Sequence, residues 1–283
     1  MDFFEIRSKG RCLYSLSRLD HHSAFGFLIY YVIYIIWTGS FIMDFYSVFL
    51  IVFFSMIPDL DIFYGGLKKG GLKNLDENFQ HHYFSLAHYP IIYIPFVLLF
   101  IITLIVEFYP RYFLIPVVGI YIGHFVFDTI ACGDGIMWGK NPLKKEKYAR
   151  FINIFHHKTD GYHGMYWDAR YRQTFIGKLG NIAVIVSAFI IQVFHIYETY
   201  RMFPWPTFNI LYLFPLIYFL GLLYFGLKKL PEEFQNEPPK GRYSDYRIDM
   251  KYIKGLSKKN RKKHLTKYSY LLDKFNTKVN END

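Results

Sequence analysis

Six apolar blocks, each 15 to 20 residues long, dominate the chain and leave it few ways to fold. They run over residues 23–37, 41–57, 89–106, 112–131, 179–197 and 208–227. Blocks of this length exceed what an ordinary soluble core needs, and they approach the roughly 20 residues that cross a bilayer as a helix. The spacing therefore predicts an all-α fold: a polytopic membrane helical bundle of about six transmembrane helices. The first block is short, since 15 residues at ~1.5 Å each do not reach across ~30 Å of hydrocarbon. It can serve as a span only if its histidine end lies in a wet vestibule. The segment Thr38-Gly39-Ser40 reads as a turn, so the first two blocks form a helical hairpin. Pro58 stops the second block, and Pro90 sits in the first turn of the third, where a missing N–H costs little.

Three regions follow from these blocks: a basic N-terminal segment 1–22, a membrane domain 23–227, and a basic tail 228–283. Charge orients them. Residues 1–22, 58–88, 132–178 and 228–283 hold 4, 3, 9 and 15 Lys/Arg, which is 31 of the chain's 33. Only Arg111 and Arg201 fall in the connections on the other side. The positive-inside rule then puts both termini in the cytoplasm of a multi-pass protein of the cell membrane. No cleavable signal peptide is expected, because the first apolar run lacks a small-residue cleavage site. Two cysteines, Cys12 and Cys132, are too few for a disulfide framework.

The same topology brings ligand-type side chains to one membrane face. His21 and His22 precede the first span, and Asp59 and Asp61 follow the second. His81, His82 and His88 precede the third, while His124 and Asp128 close the fourth. His124 and Asp128 are four apart, so a helix sets them on one face. Asp59 and Asp61 follow a helix end, where irregular backbone can turn both inward. A single histidine at an interface is ordinarily just solvated or hydrogen-bonded, and Asp-Leu-Asp after Pro is a common turn. Several acids and histidines converging where ionisable groups are expensive favour a metal site over that bland reading. A divalent ion there, zinc or manganese, would serve hydrolysis, with Asp61 or Asp128 as the carboxylate that takes a proton.

These residues carry a resemblance. The segments HSAFG (22–26), PDLD (58–61), HHYFSLAH (81–88) and GHFVFDTIACGDGIMWGKNP (123–142) resemble the YdjM-like family of membrane-bound metal-dependent hydrolases. The similarity covers roughly residues 20–142. It implies His22, Asp59, Asp61, His82, His88, His124 and Asp128 as metal-site residues, with His81 the alternative to His82. Ala87 stands where the family has Thr, and the family's Arg-Gly before it is missing.

Two other stretches invite a role. Residues 155–168 contain His156, His157 and His163, but Tyr162, Tyr166 and Trp167 favour an interfacial aromatic segment. In the tail, the basic run 258–263 precedes Leu265, Tyr268, Leu271, Leu272 and Phe275 at helical spacing. This reads as an amphipathic helix on an anionic leaflet, so membrane lipids rather than nucleic acid are the expected partner. The function expected is an integral-membrane metal-dependent hydrolase acting on a small-molecule, lipid-like or phosphoester substrate. A di-iron oxidase of the desaturase type is the first alternative, disfavoured because no HxxxH or HxxHH box occurs. A non-catalytic scaffold or transporter is the second, disfavoured because transporter ligands belong near the bilayer midplane.

Overall fold

The computed structural model describes residues 19–61, 63–64, 85–131, 136, 138–139, 171, 173–201, 210–227, 262 and 265–266. Among them the regular structure is helical and no strand occurs. In chain order the elements are α1 (Leu19–Thr38), α2 (Phe45–Met56), α3 (Ile94–Ile105), α4 (Pro110–Val117), α5 (Phe127–Ala131), α6 (Phe175–Arg201) and α7 (Ile210–Leu227). Short 3-10 turns at Ile57–Leu60, Leu86–His88 and Pro90–Tyr93 flank the second connection. A π-helical stretch, Val118–Val126, joins α4 to α5.

Among the described residues, three helices are long and apolar enough to cross a membrane: Leu19–Thr38, Pro110–Ile130 and Phe175–Arg201. The other three apolar segments, Phe45–Leu60, Pro90–Ile105 and Tyr212–Tyr224, are shorter. Their truncation has local causes. Asp44 caps α2, its Oδ1 accepting from the Ser47 N–H at 2.9 Å, so the helix starts at Phe45 rather than at Phe41. Pro90 opens a 3-10 turn, and regular α-helix begins only at Ile94. Twelve α-helical residues in each of α2 and α3 rise ~18 Å. At the other end of the chain's polar prelude, α1 is already helical at Leu19, so Asp20, His21 and His22 belong to the helix and not to a separate segment.

α1 is the central helix. It packs against α2, the π-helical stretch, α6 and α7. Ala24, Phe27 and Tyr30 of α1 meet Val48 and Ile51 of α2, Val118, Val184, Ile191 and Phe219 in one buried cluster. Large apolar side chains also line the outside. Leu98, Ile102 and Ile105 of α3 and Ile182, Ile185 and Phe189 of α6 are exposed. Meanwhile Asp20, His21, His22, Ser55, Asp59, His88, His124 and Asp128 are buried. Apolar surface on this scale, wrapped around buried polar groups, is what hydrocarbon rather than water selects.

At the end away from these polar groups, Arg111 joins the two hairpins. Its guanidinium donates to Asp44 Oδ2 at 3.4 Å and lies over the rings of Tyr34 and Tyr112. The turn before it bends through Glu107 and Tyr109, both at positive φ (56° and 45°), and Pro110 then starts α4.

Candidate metal centre

Close helix approach builds the site. A Cβ added at Gly123 would lie 2.8 Å from Gly26 Cα and 2.8 Å from Ser55 Oγ. At Gly119 it would meet Phe54 Cβ at 2.9 Å. Small residues thus let α1, α2 and the π-helical stretch touch backbone to backbone. His22 lies four residues before Gly26, Asp59 four after Ser55, and His124 directly after Gly123. His22 and Asp59 therefore sit about one turn from the point of closest contact and His124 sits beside it, and they meet.

The histidines are aimed by what holds their Nδ1 atoms. His124 Nδ1 is 3.0 Å from the Ser55 carbonyl, and His22 Nδ1 is 3.3 Å from the Gly123 carbonyl. A carbonyl only accepts, so each Nδ1 carries the proton and each Nε2 presents its lone pair when neutral. His88 follows the same pattern, with its Nδ1 at 3.1 Å from Asp61 Oδ2.

The three Nε2 atoms converge on two carboxylates. His22 Nε2 lies 3.3 Å from Asp128 Oδ1 and 3.9 Å from Asp59 Oδ2. His124 Nε2 lies 3.3 Å from Asp128 Oδ2 and 3.8 Å from Asp59 Oδ1. His88 Nε2 lies 3.3 Å from Asp59 Oδ1. The rings of His22 and His124 stack with centroids 4.3 Å apart. One donor atom from each of His22, Asp59 and His124 fits within 4.8 Å, and so does one from each of His88, His124 and Asp128.

The donor set suits a divalent cation. Ligands held ~2.1 Å from one ion stand ~3.0–3.4 Å apart, longer than an ordinary N–H···O bond. His124 Nε2 is wholly buried and makes no hydrogen bond, although carboxylate oxygens face it from two sides. Two buried carboxylates, once ionised, bring two negative charges that a divalent ion would balance. Burial opposes a charge on His88, but the hydrogen bond to Asp61 and the facing Asp59 carboxylate outweigh that and push its pKa up to about 10. His88 must give up that proton before its Nε2 can act as a ligand.

Supporting contacts hold the arms in place. Tyr121, on the π-helical stretch, donates its hydroxyl to the Pro90 carbonyl at 2.8 Å, two residues past His88. Trp138 Nε1 donates to Thr129 Oγ1 at 2.6 Å, next to Asp128. Neither is signalled in the sequence beyond its being aromatic. Ser55 is likewise silent there, because its main chain does the work.

Of the residues expected at the site, His22, Asp59, His88, His124 and Asp128 come together. Asp61 reaches the cluster through the Nδ1 of His88. His81, His82, His156, His157 and His163 lie outside the described residues. His21 points elsewhere: its Nδ1 meets the Tyr171 hydroxyl at 2.8 Å and its Nε2 meets Asn181 Oδ1 at 3.1 Å. Both nitrogens are thereby satisfied in a packing role, tying α1 to α6. Comparison with protein-family profiles, curated proteins and solved structures finds no match to this chain.

Proposed function

We propose that the protein is an integral-membrane, metal-dependent hydrolase whose site lies at the cytoplasmic face. The observation that carries this reading is the convergence of three Nδ1-anchored imidazoles and two carboxylates inside an apolar bundle. His22, His88, His124, Asp59 and Asp128 would hold the ion, zinc or manganese. A divalent ion supplies Lewis acidity toward water and toward an ester or phosphoryl oxygen. The protein's own part is to fix the imidazoles before substrate arrives, keep bulk water away, and offer Asp128 as a proton acceptor. The resemblance of residues 20–142 to the YdjM-like hydrolases supports the same reading.

The membrane part of the proposal is six spans with both termini cytoplasmic, supported by the 31-to-2 division of Lys/Arg. The shorter apolar helices then span with their ends in the headgroup region or a locally thinned bilayer. A site at that depth faces headgroups, so a lipid-like or phosphoester amphiphile is the substrate class. The basic tail, mostly outside the described residues, lies on the anionic leaflet in this scheme.

The test is reconstitution. Detergent-purified protein stripped of metal should hydrolyse fluorogenic phosphoester or acyl-ester amphiphiles only after zinc or manganese is returned, and His124→Ala should abolish that activity. Iron with an oxo-bridge absorption, and no hydrolysis with any ion, would instead favour the oxidase.

A further inference from the structure

We propose that Asp61 is a positioning residue for His88 and not a ligand of the ion. The inference rests on the metal-centre reading and deepens it, separating the two acids of Pro58-Asp59-Leu60-Asp61 into different jobs.

The backbone makes the separation. Residues Ile57–Leu60 form a 3-10 turn, and Asp61 ends it with its N–H bonded to the Asp59 carbonyl. A 3-10 turn advances ~120° per residue, so side chains two apart diverge by ~120°. Asp59 points to the convergence of Nε2 atoms, with His88, His124 and His22 at 3.3, 3.8 and 3.9 Å. Asp61 points to the 3-10 turn Leu86–His88 and reaches the other nitrogen of the His88 ring at 3.1 Å. An imidazole that binds an ion through Nε2 keeps a partner of its Nδ1 roughly 6 Å from that ion, about three ligand-bond lengths.

The three histidines differ in how they are held. His22 and His124 stand on long helices and donate to main-chain carbonyls of neighbouring helices. His88 stands on a turn of three residues, which gives its ring less support. Its orienting partner is a carboxylate 27 residues earlier in the chain. A negative partner on Nδ1–H also makes Nε2 a stronger donor than a carbonyl does. Asp61 and His88 together bracket residues 62–87, so this bond also joins the two ends of that connection.

Cobalt titration of the full chain in detergent tests the assignment. Wild-type protein should bind one Co²⁺ per chain with a visible d–d band. Asp61→Asn should keep one Co²⁺ and the same band shape, with affinity lower by roughly 10–100-fold. Asp59→Asn, at a ligand position, should change or erase the band. Asp61→Glu, which keeps a carboxylate within reach of Nδ1, should restore affinity to within about tenfold and serves if Asp61→Asn does not survive purification. An Asp61 variant whose band changes as that of Asp59→Asn does would make Asp61 a ligand. An Asp61→Asn titration identical to wild type would remove its role. No Co²⁺ binding by wild-type protein would instead bring down the metal-centre reading itself, and this assignment with it.

Discussion

Gly123 shows how a residue without a side chain can determine a site made of side chains. Its missing Cβ leaves room for Gly26 Cα and Ser55 Oγ, both 2.8 Å from where that atom would be. Gly123→Ala forces α1 and the π-helical stretch apart. It should cost ~1–3 kcal/mol, the usual penalty for overpacking, and lower the thermal midpoint of the detergent-solubilised protein. Because His22 and His124 ride on the two helices, metal retention should fall as well. Gly221→Ala is the control. Nothing lies within 4 Å of an added Cβ there, and the gain in helix propensity should leave stability unchanged or raise it by up to ~1 kcal/mol. Equal destabilisation by both substitutions would show that the contact at Gly123 is not what matters.

At the scale of elements, the apolar blocks are legible in the chain because their length and composition set them apart. Their ends are less so. Asp20, His21 and His22 are polar, so composition alone assigns them to a segment before the first helix. Tertiary partners decide otherwise: Tyr171 and Asn181 satisfy His21, and the cluster takes His22. The spacing of His124 and Asp128 announces a shared helix face, but nothing local announces the π-helical stretch that carries His124. Asp59 and Asp61 look equivalent in sequence, and only the 3-10 turn separates their directions. Elements also brace one another. Tyr121→Phe deletes the hydroxyl that holds Pro90, at a cost of ~1 kcal/mol. It should loosen the His88 arm and weaken metal binding severalfold without removing it. Complete loss of metal would mean that Tyr121 does more than brace.

For the whole molecule, polar groups collect at one end of an apolar bundle and Arg111 marks the other. Among the described residues, the ligand-type side chains of α1, the Ile57–Leu60 and Leu86–His88 turns and α5 share one end. Arg111 and Asp44 pair at the opposite end. In six-span topology a single cysteine placed near Arg111 or Arg201 should react with an impermeant thiol reagent added to intact cells. A cysteine placed near Lys69 should be protected. Labelling at Lys69 would invert the orientation and put the centre on the outer face.

The most direct measurement is X-ray absorption at the edge of whatever metal copurifies with the full-length protein. We expect one ion per chain, a first shell of nitrogen and oxygen at ~2.0–2.2 Å, and the outer-shell scattering of about three imidazoles. His124→Ala should remove the ion or one imidazole from that pattern. A protein that carries no stoichiometric metal, or an ion surrounded by oxygen alone, would contradict the centre formed by His22, His88, His124, Asp59 and Asp128.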